Sequence, residues 1–252
     1  MEAGTLRKMK RLLKNMVIAL IIILMATLIY FQMSFYPALD SASSCYTNNP
    51  NATIEGGMIT FKPVHNSPTV GVIIYPGGNV DFAAYAPLAA QISAGGYPVY
   101  LLRMPMNLAV FGINRANEVI QSNPQINHWI MMGHSLGGSM AARFSKSHTQ
   151  QVSGLVLLAA YSDTDLSDMG IHVFDIYGSR DGVLNFQQKE RYNIHLPDDT
   201  VTLRIEGGNH AGFGFYGPQR GDQDATIIRD VQISTTATAV IQWIQAEWPT
   251  DS

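Results

Sequence analysis

The chain carries a single cysteine, Cys45, among 252 residues. No intrachain disulfide can form, and cysteine usage does not fix a redox compartment. Charge is also scarce, since Asp, Glu, Lys and Arg make up only 14% of the residues and none occurs from residue 15 to 39. Basic residues in excess are missing outside the N-terminus. Residues 1–14 hold five of the 16 basic and one of the 19 acidic residues, so 11 basic against 18 acidic remain, a net charge of −7. That balance excludes nucleic acid as the expected partner. No internal repeat is evident. At this length, with 46% hydrophobic residues, one sizeable core is expected and two are not.

The scarcity of charge ends at the extreme N-terminus. Arg7, Lys8, Lys10, Arg11 and Lys14 precede an apolar run over 16–36 in which only Gln32 and Ser34 are strongly polar. About 20 apolar residues cross a bilayer, and a cationic flank faces the cytoplasm. The expectation is a basic cytoplasmic segment over 1–15, a transmembrane signal anchor over 16–36, a linker over 37–57 and a globular domain over 58–252. The lipid bilayer is then a partner, the location is the cell membrane, and the domain lies outside the cytoplasm. A cleaved signal peptide is the rival, but its apolar core is only about 7 to 15 residues long. Asn51-Ala52-Thr53 would be a glycosylation sequon only in a eukaryotic secretory setting.

Beyond the linker, strand and helix patterns alternate. "TVGVIIYP" (69–76), "YPVYLLRM" (97–104), "HWIMMG" (128–133), "VSGLVLLAA" (152–160), "IHVFDIYG" (171–178) and "TVTLRIEGG" (200–208) read as strands. Helical patterns run between them and close the chain with "STTATAVIQWIQAEW" (234–248). Apolar strands alternating with helices imply a mostly parallel, doubly wound sheet covered on both faces.

In such a sheet ligands bind beyond the carboxyl ends of the strands. At one of those ends stands "GHSLGG", in which Gly133, Ser135 and Gly137 fill the G-x-S-x-G spacing of a nucleophile elbow. The serine is forced into a strained turn there, so its flanking positions must be nearly free of side chain. Ser135 is the candidate nucleophile. Of seven histidines, His65, His128, His172 and His195 precede strands, His148 ends a helix and His134 sits inside the elbow. His210 alone follows a strand, which makes it the candidate base. Asp181, on the loop leaving the "IHVFDIYG" strand, completes the chain order Ser, Asp, His expected with an elbow. Asp163 and Glu206 also lie near strand ends and remain rivals. Asp175 falls in the middle of an apolar strand, where it needs a partner that the sequence does not reveal.

A carbonyl oxygen under attack needs two N–H donors. The amide of Leu136, opening the helix after the elbow, supplies one. The turn Gly77-Gly78 after the "TVGVIIYP" strand supplies the other, with Gly78 preferred. Met104, Phe111, Phe213 and Tyr216 are the candidate pocket residues, although the methionine-rich stretch fits a core equally well.

With "YPGG", "GHSLGG", "YGSRDG" and "GGNHAGFGFYGPQRGDQDATI", residues 55–247 resemble the α/β-hydrolase family, and within it the small capless group called α/β-hydrolase fold-5, similar in shape to dienelactone hydrolases. The resemblance implies a catalytic triad of Ser135, Asp181 and His210, with oxyanion donors Leu136 and Gly78. Chemistry through such a triad is expected to need no metal and no organic cofactor. Serine replaces the cysteine nucleophile typical of dienelactone hydrolases, and Pro76-Gly77 stands where lipases and esterases carry His-Gly. Only about a dozen residues separate "VLLAA" from "IHVFDIYG", so no large cap is expected. The resulting expectation is a membrane-anchored serine hydrolase that acts on a small ester or acyl substrate through an acyl-enzyme. An inactive tethered binding protein, or an acyltransferase using the same triad, remains the alternative.

Overall fold

The computed structural model describes residues 2–64 and 69–249, with side chains left undescribed at 2–6, 26 and 28–33. His65 therefore lies outside the described residues. The chain divides into two units, residues 1–35 and residues 36–252.

The first unit is the helix α1 (Glu2–Met33). Here the expectation of a membrane span is overturned, because among the described residues no helix is long and apolar enough to cross a membrane. Of the expected span over 16–36, the side chains at 26 and 28–33 lie outside the description. Membrane anchoring, the bilayer as partner and the extracytoplasmic placement of the domain fall with it.

In the second unit, residues 37–57 are ordered elements rather than a bare linker. They hold the helix α2 (Asp40–Thr47), with Ala42 fully buried, and the strand β1 (Ala52–Glu55). Gly56 and Gly57, at φ 58° and 74°, turn β1 back on β2 (Met58–Phe61) as an antiparallel hairpin. Two consecutive positive φ angles are what a tight hairpin turn requires, so the Gly-Gly read as linker composition is turn chemistry.

The remaining elements follow the alternation read from the sequence. They are β3 (Val70–Tyr75), α3 (Ala86–Ala94), β4 (Val99–Leu102), α4 (Ala116–Ser122), β5 (His128–His134), α5 (Leu136–Ser147), β6 (Val152–Leu158), β7 (His172–Gly178), α6 (Phe186–Tyr192), β8 (Val201–Ile205) and α7 (Arg229–Glu247). They build an eight-stranded sheet ordered β1-β2-β4-β3-β5-β6-β7-β8. Only the β1–β2 and β2–β4 pairs are antiparallel. The closing helix starts five residues earlier than its apolar pattern, with Asp230 in the first turn, where a carboxylate complements the helix dipole. Between β6 and β7 only residues 159–171 intervene, so there is no large cap.

Successive side chains along a strand point to opposite faces, and the core divides accordingly. Val72, Ile74, Ile130 and Met132 pack under α3 and α7 with Leu88, Ile92, Val240 and Trp243. Ile73, Tyr75 and Met131 pack under α4 and α5 with Val119, Met140 and Phe144. Each fully buried aliphatic side chain contributes about 1.5–3 kcal/mol. The two layers thus hold the central strands rigid, and their carboxyl ends become a fixed platform.

The partner of Asp175 is Lys189 of α6, and the pair is buried at 2% and 9% side-chain exposure. The Tyr177 ring lies 5.1 Å from the Lys189 ammonium. Burial pushes the Asp175 carboxyl above its ordinary value, and Lys189 opposes that shift. Removing one partner of a buried pair strands the other charge. We expect Lys189→Met to lose about 3–5 kcal/mol of unfolding free energy in urea, and a second change, Asp175→Leu, to restore most of it. Equal stability of Lys189→Met and the unmodified protein would contradict this.

Candidate active site

The elbow is a steric construction. Ser135 adopts φ 51° and ψ −123° as it caps α5, a region that costs about 1–3 kcal/mol for a residue with a side chain. A Cβ on Gly133 would lie 2.4 Å from the Gly137 carbonyl oxygen, and one on Gly137 would lie 2.3 Å from the Pro76 carbonyl oxygen. Neither space exists for a side chain. The Ser135 N–H donates to the Leu158 carbonyl at 2.9 Å, which fastens the turn to the end of β6. Ala159, next in the chain, is also held at a positive φ of 47°.

Asp181 and His210 stand beyond β7 and β8, at the same edge as Ser135. His210 Nδ1–H donates to Asp181 Oδ2 at 2.8 Å, and both side chains are almost fully buried. The other oxygen of Asp181 accepts the Val183 and Leu184 amides at 2.8 and 2.7 Å. A carboxylate that only accepts fixes the proton on Nδ1. Nε2 is left with a lone pair, and it has no hydrogen-bond partner. His210 and Ser135 line one cavity of about 250 Å³, together with Leu136, Tyr161, Leu184 and Asn185.

The rivals lie elsewhere. Asp163 is held by Arg143 in a two-pronged ion pair at 2.9 and 2.5 Å, and the Glu206 side chain is 79% exposed beside Arg204. His128 and His172 open β5 and β7, His195 precedes β8 and His148 caps α5. His128, His172 and His148 open or close elements away from the strand ends that carry Ser135 and His210, while His195 Nδ1 lies 3.2 Å from the Ser162 carbonyl on the loop after β6 and does not line the cavity at Ser135.

His134 is buried beneath the elbow. Gly77 N–H donates to the Tyr85 hydroxyl at 3.0 Å, so that hydroxyl is free to donate to His134 Nδ1 at 2.7 Å. Burial first, and then repulsion from His210, hold the His134 imidazole well below its ordinary value. It is a neutral packing group at 4.5 Å from the His210 ring. The same contact engages the Gly77 amide and leaves the Gly78 and Leu136 amides without a protein partner among the described residues. A Cβ on Gly78 would touch Leu136 Cδ2 at 3.1 Å, so the Leu136 side chain packs against the Gly78 backbone.

None of the four expected pocket residues lines the cavity at Ser135. Phe213 and Tyr216 are fully buried against the His134 ring, at 5.7 and 6.4 Å between centroids. Met104 is core at 2% exposure, and Phe111 projects outward at 58%. The lining residues Tyr161, Leu184 and Asn185 were missed. They arrive on irregular loops after β6 and β7, where no periodicity indicates direction.

A model of the Alpha/beta hydrolase family matches residues 71–234, which spans β3 through the first turns of α7. The chain belongs to the alpha/beta hydrolase family. That membership makes it an α/β-hydrolase-fold enzyme. A search of curated proteins finds no match. Among solved structures this hydrolase is similar to a sugar hydrolase from Lactococcus lactis, at 18% identity and TM-score 0.59, over 79% of this chain and 98% of that one. It is also similar to a monoacylglycerol lipase from Paleococcus ferrophilus, at 12% identity and TM-score 0.57, over 77% and 99%. A Xanthomonas campestris serine hydrolase described as lidless matches at 13% identity and TM-score 0.55, over 77% and 90%. At these identities the likeness establishes the fold, and the chemistry must be argued from the site.

Proposed function

We propose that this hydrolase cleaves a small ester or related acyl bond through a covalent intermediate on Ser135. The observation that carries the reading is His210, which lines one cavity with Ser135 and whose Nδ1–H is spent on Asp181 while its Nε2 has no hydrogen-bond partner. In that role His210 Nε2 takes the Ser135 hydroxyl proton as Oγ bonds to the substrate carbonyl carbon. The carbonyl oxygen becomes an oxyanion, for which the Leu136 and Gly78 amides are the available donors. When the tetrahedral species collapses, the bond to the alcohol breaks and the alcohol leaves with the proton from His210. A water then repeats the sequence, giving its proton to His210 and releasing the acid.

The cavity volume bears on substrate size. About 250 Å³ is less than the ~300–1,000 Å³ that holds a drug-sized ligand, and no cap adds further apolar surface. We expect para-nitrophenyl acetate and butyrate to be turned over with a burst of para-nitrophenol equal to the enzyme concentration, the sign of an acyl-enzyme. The palmitate ester should be the poorer substrate. Preference for palmitate, with activation at a lipid interface, would contradict the small-substrate reading.

A further inference from the structure

The segment 217–224 has no part in the chemistry just described, yet it touches both loops that carry the acid and the base. Gly221, at φ 89°, turns the chain so that Asp222 faces inward, half-buried. Asp222 Oδ1 accepts the Gly182 amide at 3.0 Å and the His210 amide at 3.3 Å, while Oδ2 accepts the Ala211 amide at 2.8 Å. Oδ1 also closes its own turn on the Gln223 amide at 3.0 Å. Gly182 directly follows Asp181. One carboxylate therefore joins the residue after the acid to the backbone of the base.

The neighbouring contacts act in the same direction. Arg180 Nε donates to the Asp224 carbonyl at 2.5 Å, and Asn209 Nδ2 donates to the Gln223 carbonyl at 2.7 Å. A Cβ at Gly182 would lie 2.5 Å from the Gly221 carbonyl oxygen, so the two loops meet backbone to backbone. Asp222 itself does not line the cavity at Ser135. Its oxygens are used on amides and not on substrate.

We propose that Asp222 is a positioning residue, a carboxylate clamp that holds the Asp181 loop and the His210 loop in register so that Nε2 stays aimed at Ser135. The inference rests on the serine hydrolase reading above. Charge-assisted bonds to backbone N–H groups are shorter and stronger than neutral ones, and a displacement of about 1 Å at a reacting group can cost 10²-fold in rate.

The test compares the unmodified chain with Asp222→Ala and Asp222→Asn in two assays. These are butyrate ester turnover and the rate at which a fluorophosphonate labels Ser135, each normalised to the amount of serine finally labelled. The expected result for Asp222→Ala is a loss of about 10²-fold in kcat and in labelling rate, with KM moving by less than about two-fold. Asp222→Asn keeps one acceptor oxygen and should fall between, and it carries the test if the alanine variant does not fold. A purely structural role would lower the melting temperature and the labelled fraction while leaving the rate per labelled serine unchanged, and that result overturns the proposal. Unmodified protein labelled on Ser135 at the same rate as both variants also overturns the positioning role while leaving the hydrolase reading intact. Unmodified protein that never labels on Ser135 overturns the reading and the clamp with it.

Discussion

Ser135→Ala should lose about 10⁶-fold in kcat on a short ester, the size of loss seen when the nucleophile of a serine protease triad is removed. At ~1.4 kcal/mol per decade this is about 8 kcal/mol of barrier. His210→Ala should be nearly as damaging. Nε2 has no hydrogen-bond partner and is free to accept a proton, and a serine hydroxyl without a base is a poor nucleophile at neutral pH. The fold should survive both changes. Ala159 already occupies a positive φ of 47° at the end of the neighbouring strand β6, so alanine at Ser135 is no worse than what the chain tolerates. Circular dichroism and a melting curve check that, and turnover of para-nitrophenyl butyrate checks the rest. Near-normal turnover by Ser135→Ala would remove the nucleophile assignment.

Asp181→Asn should lose about 10⁴-fold, as replacement of the triad acid does elsewhere. An asparagine can present its NH₂ to His210 Nδ1, which forces the proton onto Nε2 and leaves no lone pair facing Ser135. The amide also cannot stabilise the imidazolium that forms during attack. The rivals should behave differently. Asp163→Asn breaks a partly exposed pair with Arg143, in which Arg143 is 47% exposed and Asp163 27%. Such pairs are worth about 0–1 kcal/mol of stability. Glu206→Gln changes a side chain that is 79% exposed. Turnover by both should stay near that of the unmodified enzyme. A crippled Glu206→Gln beside an active Asp181→Asn would transfer the role of the acid.

How much of this was legible in the chain depended on whether the constraint was local. The elbow was legible because its G-x-S-x-G spacing is itself local, with Gly133 demanded by Gly137 four positions on, although Gly137 is demanded by the distant Pro76. The strand-end positions of Asp181 and His210 were legible because alternation of β-strand and helix fixes which end of each strand a loop leaves. Directions of side chains on loops were not. Phe213 and Tyr216 were read as pocket residues, yet they pack against the His134 ring, and Tyr161 reached the cavity from a stretch with no pattern. Long-range pairing was equally hidden. Nothing in an apolar strand announces that Asp175 meets Lys189 on the following helix, or that Asp222 reaches back 40 residues to Gly182. The Gly56-Gly57 hairpin could have been read, since "ATIE" and "MITF" flank it at strand length, but its small polar neighbours suggested a linker. At the N-terminus hydropathy alone predicted a membrane span, and among the described residues no helix meets the length and apolarity that one requires.

The central claim is that Ser135 is a nucleophile activated by His210. Its most direct test is to treat the protein with a fluorophosphonate and locate the adduct by peptide mass spectrometry. The account predicts one adduct per chain, on the peptide containing Ser135, formed rapidly by the unmodified protein and not detectably by His210→Ala. An unmodified Ser135 after prolonged treatment, or an adduct on another serine while ester turnover is lost, would contradict it.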